Sequence, residues 1–256
     1  MLAQNCFPHT REPGRPAALG TIVTLPNPQL LEIALLAGCE WIFVDCEHGA
    51  ITTSGLGCLL TGVPRDVPVL VRLPANDEVY VKQALDSGAA GIICPSVEDA
   101  ATAARLVSWA KYPPAGTRSV GIGRAHGYGL GLASYMEQAN GLTSVVVQIE
   151  SIAGVRALDD ILEVSGLGGV FIGPYDLSAS MGLVGQPTAP AVRKTIHDIV
   201  ERCRARAVPV GQFFGGAQAF GADEISGRLD FAALGLDTTL LAQSLELQLC
   251  TARSVS

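Results

Sequence analysis

The chain has 256 residues, of which 48% are hydrophobic and 16% charged, with a formal net charge of -7. This composition supplies material for a large apolar core and excludes a disordered chain; the one basic cluster, Arg202, Arg204 and Arg206, suits a solvated helix end, so no nucleic-acid footprint is read. The longest apolar stretch, 30–46, is broken by Glu32, Glu40 and Asp45, and no membrane span is expected.

In chain order, residues 1–17 read as a tail. They carry His9, Arg11, Glu12 and Arg15 where a secretory leader would need an apolar run, which points to a cytoplasmic protein. Strand-like apolar runs follow at 20–25, 41–46, 67–73, 91–95, 144–149, 169–172, 208–213 and 231–236. Between them, helix-patterned segments fall at 28–37, 77–87, 98–110, 152–163, 190–206 and 218–227. Most of the strands are apolar throughout, the pattern of parallel strands covered on both faces. Eight such β/α units favour a closed (β/α)8 TIM barrel, one domain over residues 1–256, above an open doubly wound sheet. The one long interruption, 111–142, reads as a loop between strands four and five with a short helix near 133–139; loops of that length are usually functional.

In such a barrel the chemistry sits where the strands end. Those ends carry Asp45-Cys46-Glu47-His48, Arg72, Gln148-Ile149-Glu150, Gly173-Pro174-Tyr175-Asp176 with Ser178, and Asp237. Glu150 and Asp176 follow neighbouring strands, about 4.8 Å apart, so their carboxylates suit one divalent cation with positions left open for water and substrate. Capping of helix N-termini is the competing role. Arg72 is the sole strand-end cation, suited to an enolate oxyanion or to a structural pair with Glu47. His48 is the strand-end imidazole, a general base by type, and Asp45 would pair with it only across a kinked strand end. His126, in the long loop, is a second histidine that could approach the site. The lysines, Lys82, Lys111 and Lys194, lie on helices or before the loop, so neither a Schiff-base lysine nor pyridoxal phosphate is expected. Gly121-Ile122-Gly123 does not follow a strand and gives no NAD site. Seven cysteines without a CxxC pair read as reduced thiols, with no disulfide or structural zinc.

The motifs VDCEHG (44–49), VRLPAND (71–77), KYPPAGTRSVG (111–121), VQIES (147–151), GVFIGPYDLSASMG (169–182) and LGLDTTLL (234–241) resemble the HpcH/HpaI family. Within it they look most like the class II, metal-dependent pyruvate aldolases that cleave 4-hydroxy-2-oxo acids. The resemblance runs in order along nearly the whole chain. It implies a barrel assembled as a homo-hexamer, with the last helix exchanged between subunits. It further implies Mg²⁺, Mn²⁺ or Co²⁺ held by Glu150 and Asp176, and a 2-oxo acid contacted by Gln148, by the backbone beside Tyr175 and Asp176, and by Arg72. His48 would be the base. Asp86, in KQALDSG, matches an aspartate that raises the basicity of this histidine; its helix runs back to the opposite face, so a neighbouring subunit's site is the one it would serve. Whether Asp45 or Asp86 supports His48 stays open. The expected reaction is reversible retro-aldol cleavage to pyruvate and an aldehyde, through an enolate. The alternatives are a malyl- or citramalyl-CoA lyase, or a catalytically silent binding barrel. The aldehyde is not specified: TIVTLPNP lacks an aromatic, Leu236 stands at a spot that is often smaller or polar, and GQFFGG adds two aromatics.

Overall fold

A computed structural model describes residues 7–10 and 15–255. The strands β1 (Ala18–Val23), β2 (Trp41–Asp45), β3 (Val69–Arg72), β4 (Gly91–Cys94), β5 (Ser144–Ile149), β6 (Gly169–Ile172), β7 (Val210–Phe214) and β8 (Phe231–Leu236) pair in sequence order. Every pairing is parallel, and β8 closes on β1 with a register shift between Gly20 and Ile22. This is the (β/α)8 TIM barrel expected from the alternation of apolar runs and helical segments.

Strand residues point alternately into the barrel and out toward the helices. Inside, Trp41, Phe43, Phe171 and Phe231 pack with Leu70, Ile93 and Val146. The Trp41 indole N–H donates to the carbonyls of Ala18 and Ala232 at 3.3 Å each, so burying it leaves no orphan donor. Rings of this size fit because facing strands bring glycine. A Cβ on Gly20 would lie 2.5 Å from the Trp41 carbonyl oxygen, and one on Gly211 would lie 2.5 Å from the Phe231 ring. Phe7, in the segment read as a tail, closes the barrel floor, its ring 5.4 Å from Trp41 and 5.8 Å from Phe231. Outward-facing Val44, Val71, Val147 and Val170 form the second layer of core beneath the helices.

Helices depart from expectation more than strands do. The segment 152–163 is two short helices, Ile152–Arg156 and Leu158–Leu162. The helix expected at 218–227 is a single turn, Ala217–Gly221, stopped where the Asp223 carboxylate accepts from the Ile225 amide in an Asx-type turn. The segment 111–142 includes the helix Leu132–Leu142, longer than expected. It lies between the helix Ala100–Ala110 and β5, on the face where strands begin. There the buried Lys111 ammonium donates to the carbonyls of Asn140 and Thr143, the latter just before β5. His126 is buried within the same segment, its ring bonded to the amides of Gly123 and Gly129 and beside the Gly121 carbonyl. The expectation that His126 could approach the strand-end site of its own chain is therefore corrected, because the length of the barrel separates them.

Candidate active site

Asp45 and Arg72 are register partners on β2 and β3 and both face inward at the strand ends. The guanidinium lies over the Phe43 ring, 5.3 Å from its centroid, so the barrel's aromatic core forms the floor of the site. Arg72 donates through Nε and Nη2 to the two Asp45 oxygens, at 2.9 and 2.6 Å, and its Nη1 stands 3.2 Å from the Glu47 carboxylate. Two of its five N–H groups are thereby hydrogen-bonded to Asp45, and Nη1 adds an ion pair with Glu47. The structural pair with Glu47 is formed, together with a stronger one to Asp45.

Asp45 is fully buried, and Oδ1 also accepts from the Glu47 and His48 amides at 3.0 and 3.2 Å. Burial alone would raise its carboxyl; the Arg72 hydrogen bonds and charge overcome this and hold it below the usual carboxylate range. Asp45 therefore fixes the backbone of His48 and makes no bond to its imidazole. The His48 ring is largely exposed, with Nε2 3.8 Å from Glu47. Burial raises the Glu47 carboxyl despite Arg72 and His48, and raises the Cys46 thiol, with the Asp45 charge adding to it, to about 12. Cys46 is no nucleophile at neutral pH.

On β5, Gln148 is buried and Glu150 follows it at the strand end. Glu150 Oε1 accepts from the Ser96 amide and hydroxyl at 2.8 and 3.0 Å, and Oε2 accepts from the Gln148 side-chain amide. Ser96 adopts φ +50°, a left-handed conformation uncommon for serine, and both of its donors are spent on Glu150. Gly173 gives this carboxylate its room, since a Cβ there would lie 2.9 Å from Glu150 Oε2 and 3.1 Å from Gln148 Nε2. Three residues on, Asp176 is exposed in the first turn of the helix Pro174–Ser180. The same turn brings out Tyr175, whose ring stands 6.3 Å from Phe213. Beyond this pair a cavity of about 450 Å³ runs between β7 and the helix Pro190–Ala205. Of the two added aromatics, Phe213 joins Leu236 against the barrel interior, while Phe214 turns outward onto Phe220 at 5.2 Å.

The residues fit a divalent cation. Asp45, Glu47 and Glu150 bear on one guanidinium, and Asp176 adds a carboxylate after the strand beside β5, a mouth that would repel an anionic 2-oxo acid unless a cation reversed its sign. The Gln148 side-chain oxygen is buried beside Glu150 without a donor. Among the described residues no group of three or more His, Cys, Asp or Glu is placed to hold a metal. Asp237, a strand-end candidate, is spent on structure: it accepts from the Thr24 and Leu25 amides and the Thr24 hydroxyl.

Asp86 is not brought to this site. It ends the helix Glu78–Asp86 on the opposite face, where its Oδ1 is 2.6 Å from the buried Arg118. Sequence reasoning missed Ser96 and Phe43, and gave Gly173, named at the end of strand six, no role. Ser96 had one visible signal, a polar residue directly after strand four; the other two depend on which side chains their neighbours present.

The model of the HpcH/HpaI aldolase/citrate lyase family matches residues 19–244. The chain belongs to this family. A 4-hydroxy-2-oxo-heptane-1,7-dioate aldolase of Salmonella paratyphi C (strain RKS4594) is 37% identical over 246 residues, covering 95% of this chain and 92% of the relative. Among solved structures, an HpcH/HpaI aldolase/citrate lyase family protein from Burkholderia cenocepacia J2315 superposes with a TM-score of 0.87 at 27% identity, covering 93% of this chain and 95% of that one. The citrate synthase SbnG follows at 0.83 and 28%, covering 93% and 94%. Like its aldolase relatives in the HpcH/HpaI family, the chain is an enzyme, a carbon–carbon lyase. No described helix is long and apolar enough to cross a membrane.

Proposed function

We propose that the enzyme is a class II pyruvate aldolase, dependent on Mg²⁺, Mn²⁺ or Co²⁺, that reversibly cleaves 4-hydroxy-2-oxo acids to pyruvate and an aldehyde. The observation that carries this is the single guanidinium, Arg72, set among strand-end carboxylates, with Nε and Nη2 bonded to Asp45 and Nη1 held only by an ion pair to Glu47. In the cleavage direction the C4 hydroxyl loses its proton, the C3–C4 bond breaks, its electron pair passes into the pyruvate enolate, and a proton returns to C3. Glu150 and Asp176 would hold the cation, which when bound polarises the keto group and offsets the substrate carboxylate. Arg72 stands where a second negative charge appears as the enolate forms, and its fork is fixed by Asp45 and Glu47 before substrate arrives. Gln148 and the backbone at Tyr175 and Asp176 would orient the 2-oxo acid. His48, exposed at the mouth, would take and return the hydroxyl proton. Phe213, Leu236 and the Tyr175 ring give the aldehyde an apolar gate, with the adjoining cavity as room for a longer acceptor.

The reading includes assembly. A homo-oligomer, hexameric by resemblance, would bring Asp86 to a neighbouring copy's His48. Asp86 lines a hollow of about 470 Å³ with the exposed Val79 and Tyr128, and Val120, Ile122 and Leu130, in the same long segment as Tyr128, are exposed too, Leu130 at 98%. Exposed apolar residues gathered in one region mark an interaction surface. The cytoplasmic setting belongs to the same reading and draws on the buried apolar environment of Cys46, Cys94 and Cys203.

The test is exchange of the pyruvate methyl protons for deuterium with no aldehyde present. Chelation should abolish exchange and added Mn²⁺, Co²⁺ or Mg²⁺ should restore it. Arg72→Ala should lose exchange and cleavage together by about 10²–10³-fold, the scale of a lost oxyanion donor. Covalent trapping of pyruvate on a lysine by borohydride would overturn the reading.

A further inference from the structure

The long segment 111–131 is the most distinctive motif in the chain, yet it lies on the barrel face remote from the strand-end site. Its central charged residue, Arg118, has a fully buried side chain. A buried guanidinium is costly unless partnered, and Asp86 is its only carboxylate partner among the described residues, at 2.6 Å. The guanidinium also lies over the Tyr112 ring, 4.6 Å from its centroid, with Nη1 3.4 Å from the Tyr135 hydroxyl. Asp86 in turn closes a helix at its C-terminal end, where the helix dipole disfavours a carboxylate. The loop's cation offsets that.

Arg118 engages only one of the two oxygens. The other, Oδ2, faces Gly121, where a Cβ would come to 3.1 Å, while a Cβ on Gly123 would come within 2.7 Å of the Asp86 carbonyl oxygen. Gly121 therefore leaves room beside the carboxylate, and Gly123 lets the loop pack against the Asp86 backbone. Its side chain is one-third exposed and opens into the surface hollow shared with Thr53, Ser54, Lys82, Arg124 and Tyr128. One oxygen is gripped from within and the other is displayed.

We propose that Arg118 is the positioning residue for Asp86, orienting its free oxygen toward the His48 of a neighbouring copy. The proposal rests on the cross-subunit reading given above. It makes the KYPPAGTRSVG loop part of the catalytic apparatus of the next subunit, although it touches nothing in the site of its own.

Co-expression of paired variants tests it. His48→Ala with Asp86→Ala is the reference pair: up to about a quarter of sites in a random equal mixture would combine an intact donor with an intact acceptor, so activity should return. Failure of that pair overturns the cross-subunit reading and this proposal with it. Arg118→Gln alone should lower kcat by about 10²-fold, the cost of a misplaced group, with the pyruvate KM little changed. Paired with His48→Ala it should recover activity, because the intact Arg118 and Asp86 then come from the same partner chain. Paired with Asp86→Ala it should not, because every donor is defective. Recovery with Asp86→Ala, or failure with His48→Ala, shows that Arg118 only supports its own barrel and overturns the proposal, as does a wild-type kcat in Arg118→Gln. Should that variant fail to fold, Arg118→Lys, which keeps the charge and loses the planar fork, is put through the same pairs.

Discussion

Asp45 receives four hydrogen bonds, two from Arg72 and one each from the Glu47 and His48 amides, in a position closed to solvent. Burial opposes its ionisation and Arg72 more than restores it, so the folded carboxyl titrates below the value of about 3.9 it has in an unfolded chain. Between those two values the unfolded chain binds more protons, and stability there rises with pH. The contribution of Asp45 is thus complete above about pH 4 and is lost as pH falls through the folded value. Asp45→Asn should destabilise the protein at pH 7 by about 3–5 kcal/mol, the usual cost of taking one partner from a buried pair. Denaturant melts should show the gap from wild type shrinking as the pH drops below about 4; a gap that stays constant would disconnect the pair from the proton. At this scale the sequence reveals Asp45, Arg72, Gln148 and Glu150, because strand parity and strand ends can be counted along one segment. It conceals the roles of Ser96, Phe43 and Gly173, which come from other segments. It also leaves open the partner of the His48 ring, and the structure shows Asp45 bonded to the His48 amide instead.

Glycine placement inside the strands decides how the barrel is filled. The Phe231 ring is fully buried between Trp41 and Phe171, and Gly211 on the adjacent strand lies against its edge. A Cβ at 211 would stand 2.5–2.6 Å from three ring carbons, and the ring is hemmed in by those of Phe7, Trp41 and Phe171. Gly211→Ala should therefore lower stability by about 1–3 kcal/mol through overpacking, read as a fall in Tm. The pyruvate exchange rate per folded molecule should be nearly unchanged, since Asp45 and Arg72 lie one layer above. An unaltered Tm would show that the ring has space to retreat. The strands were legible to within two residues because apolar runs covered on both faces have few competing explanations. The helix at 218–227 was not, because its pattern continued past an aspartate whose side chain turns the backbone, a local bond that periodicity does not register.

At the scale of the whole chain, one element displays a run of exposed leucines. The last helix, Asp237–Val255, is about 28 Å long and is exposed from Thr238 through Ser254, with Leu240, Leu241, Leu245, Leu247 and Leu249 between 42% and 64% exposed. Beyond its first turn, which Asp237 ties to Thr24 and Leu25, a solvated helix of this length is marginal in water, and its leucines recur on more than one side, as they do when a helix is surrounded by protein. The sequence shows those leucines but cannot show that the described residues leave them largely exposed. The exchange of this helix expected from the resemblance would cover them: each barrel would receive this element from a neighbour, and the same contact would hold Asp86 within reach of a foreign His48. Replacing Leu241 and Leu245 together by glutamate should then shift the protein to a smaller species in light scattering. Activity should fall with it, even though every strand-end residue is retained, while isolated subunits keep a folded far-ultraviolet spectrum from the barrel. A variant that stays in the wild-type assembly would place the subunit contact elsewhere, and a fully active monomer would remove the need for Asp86 to act across subunits.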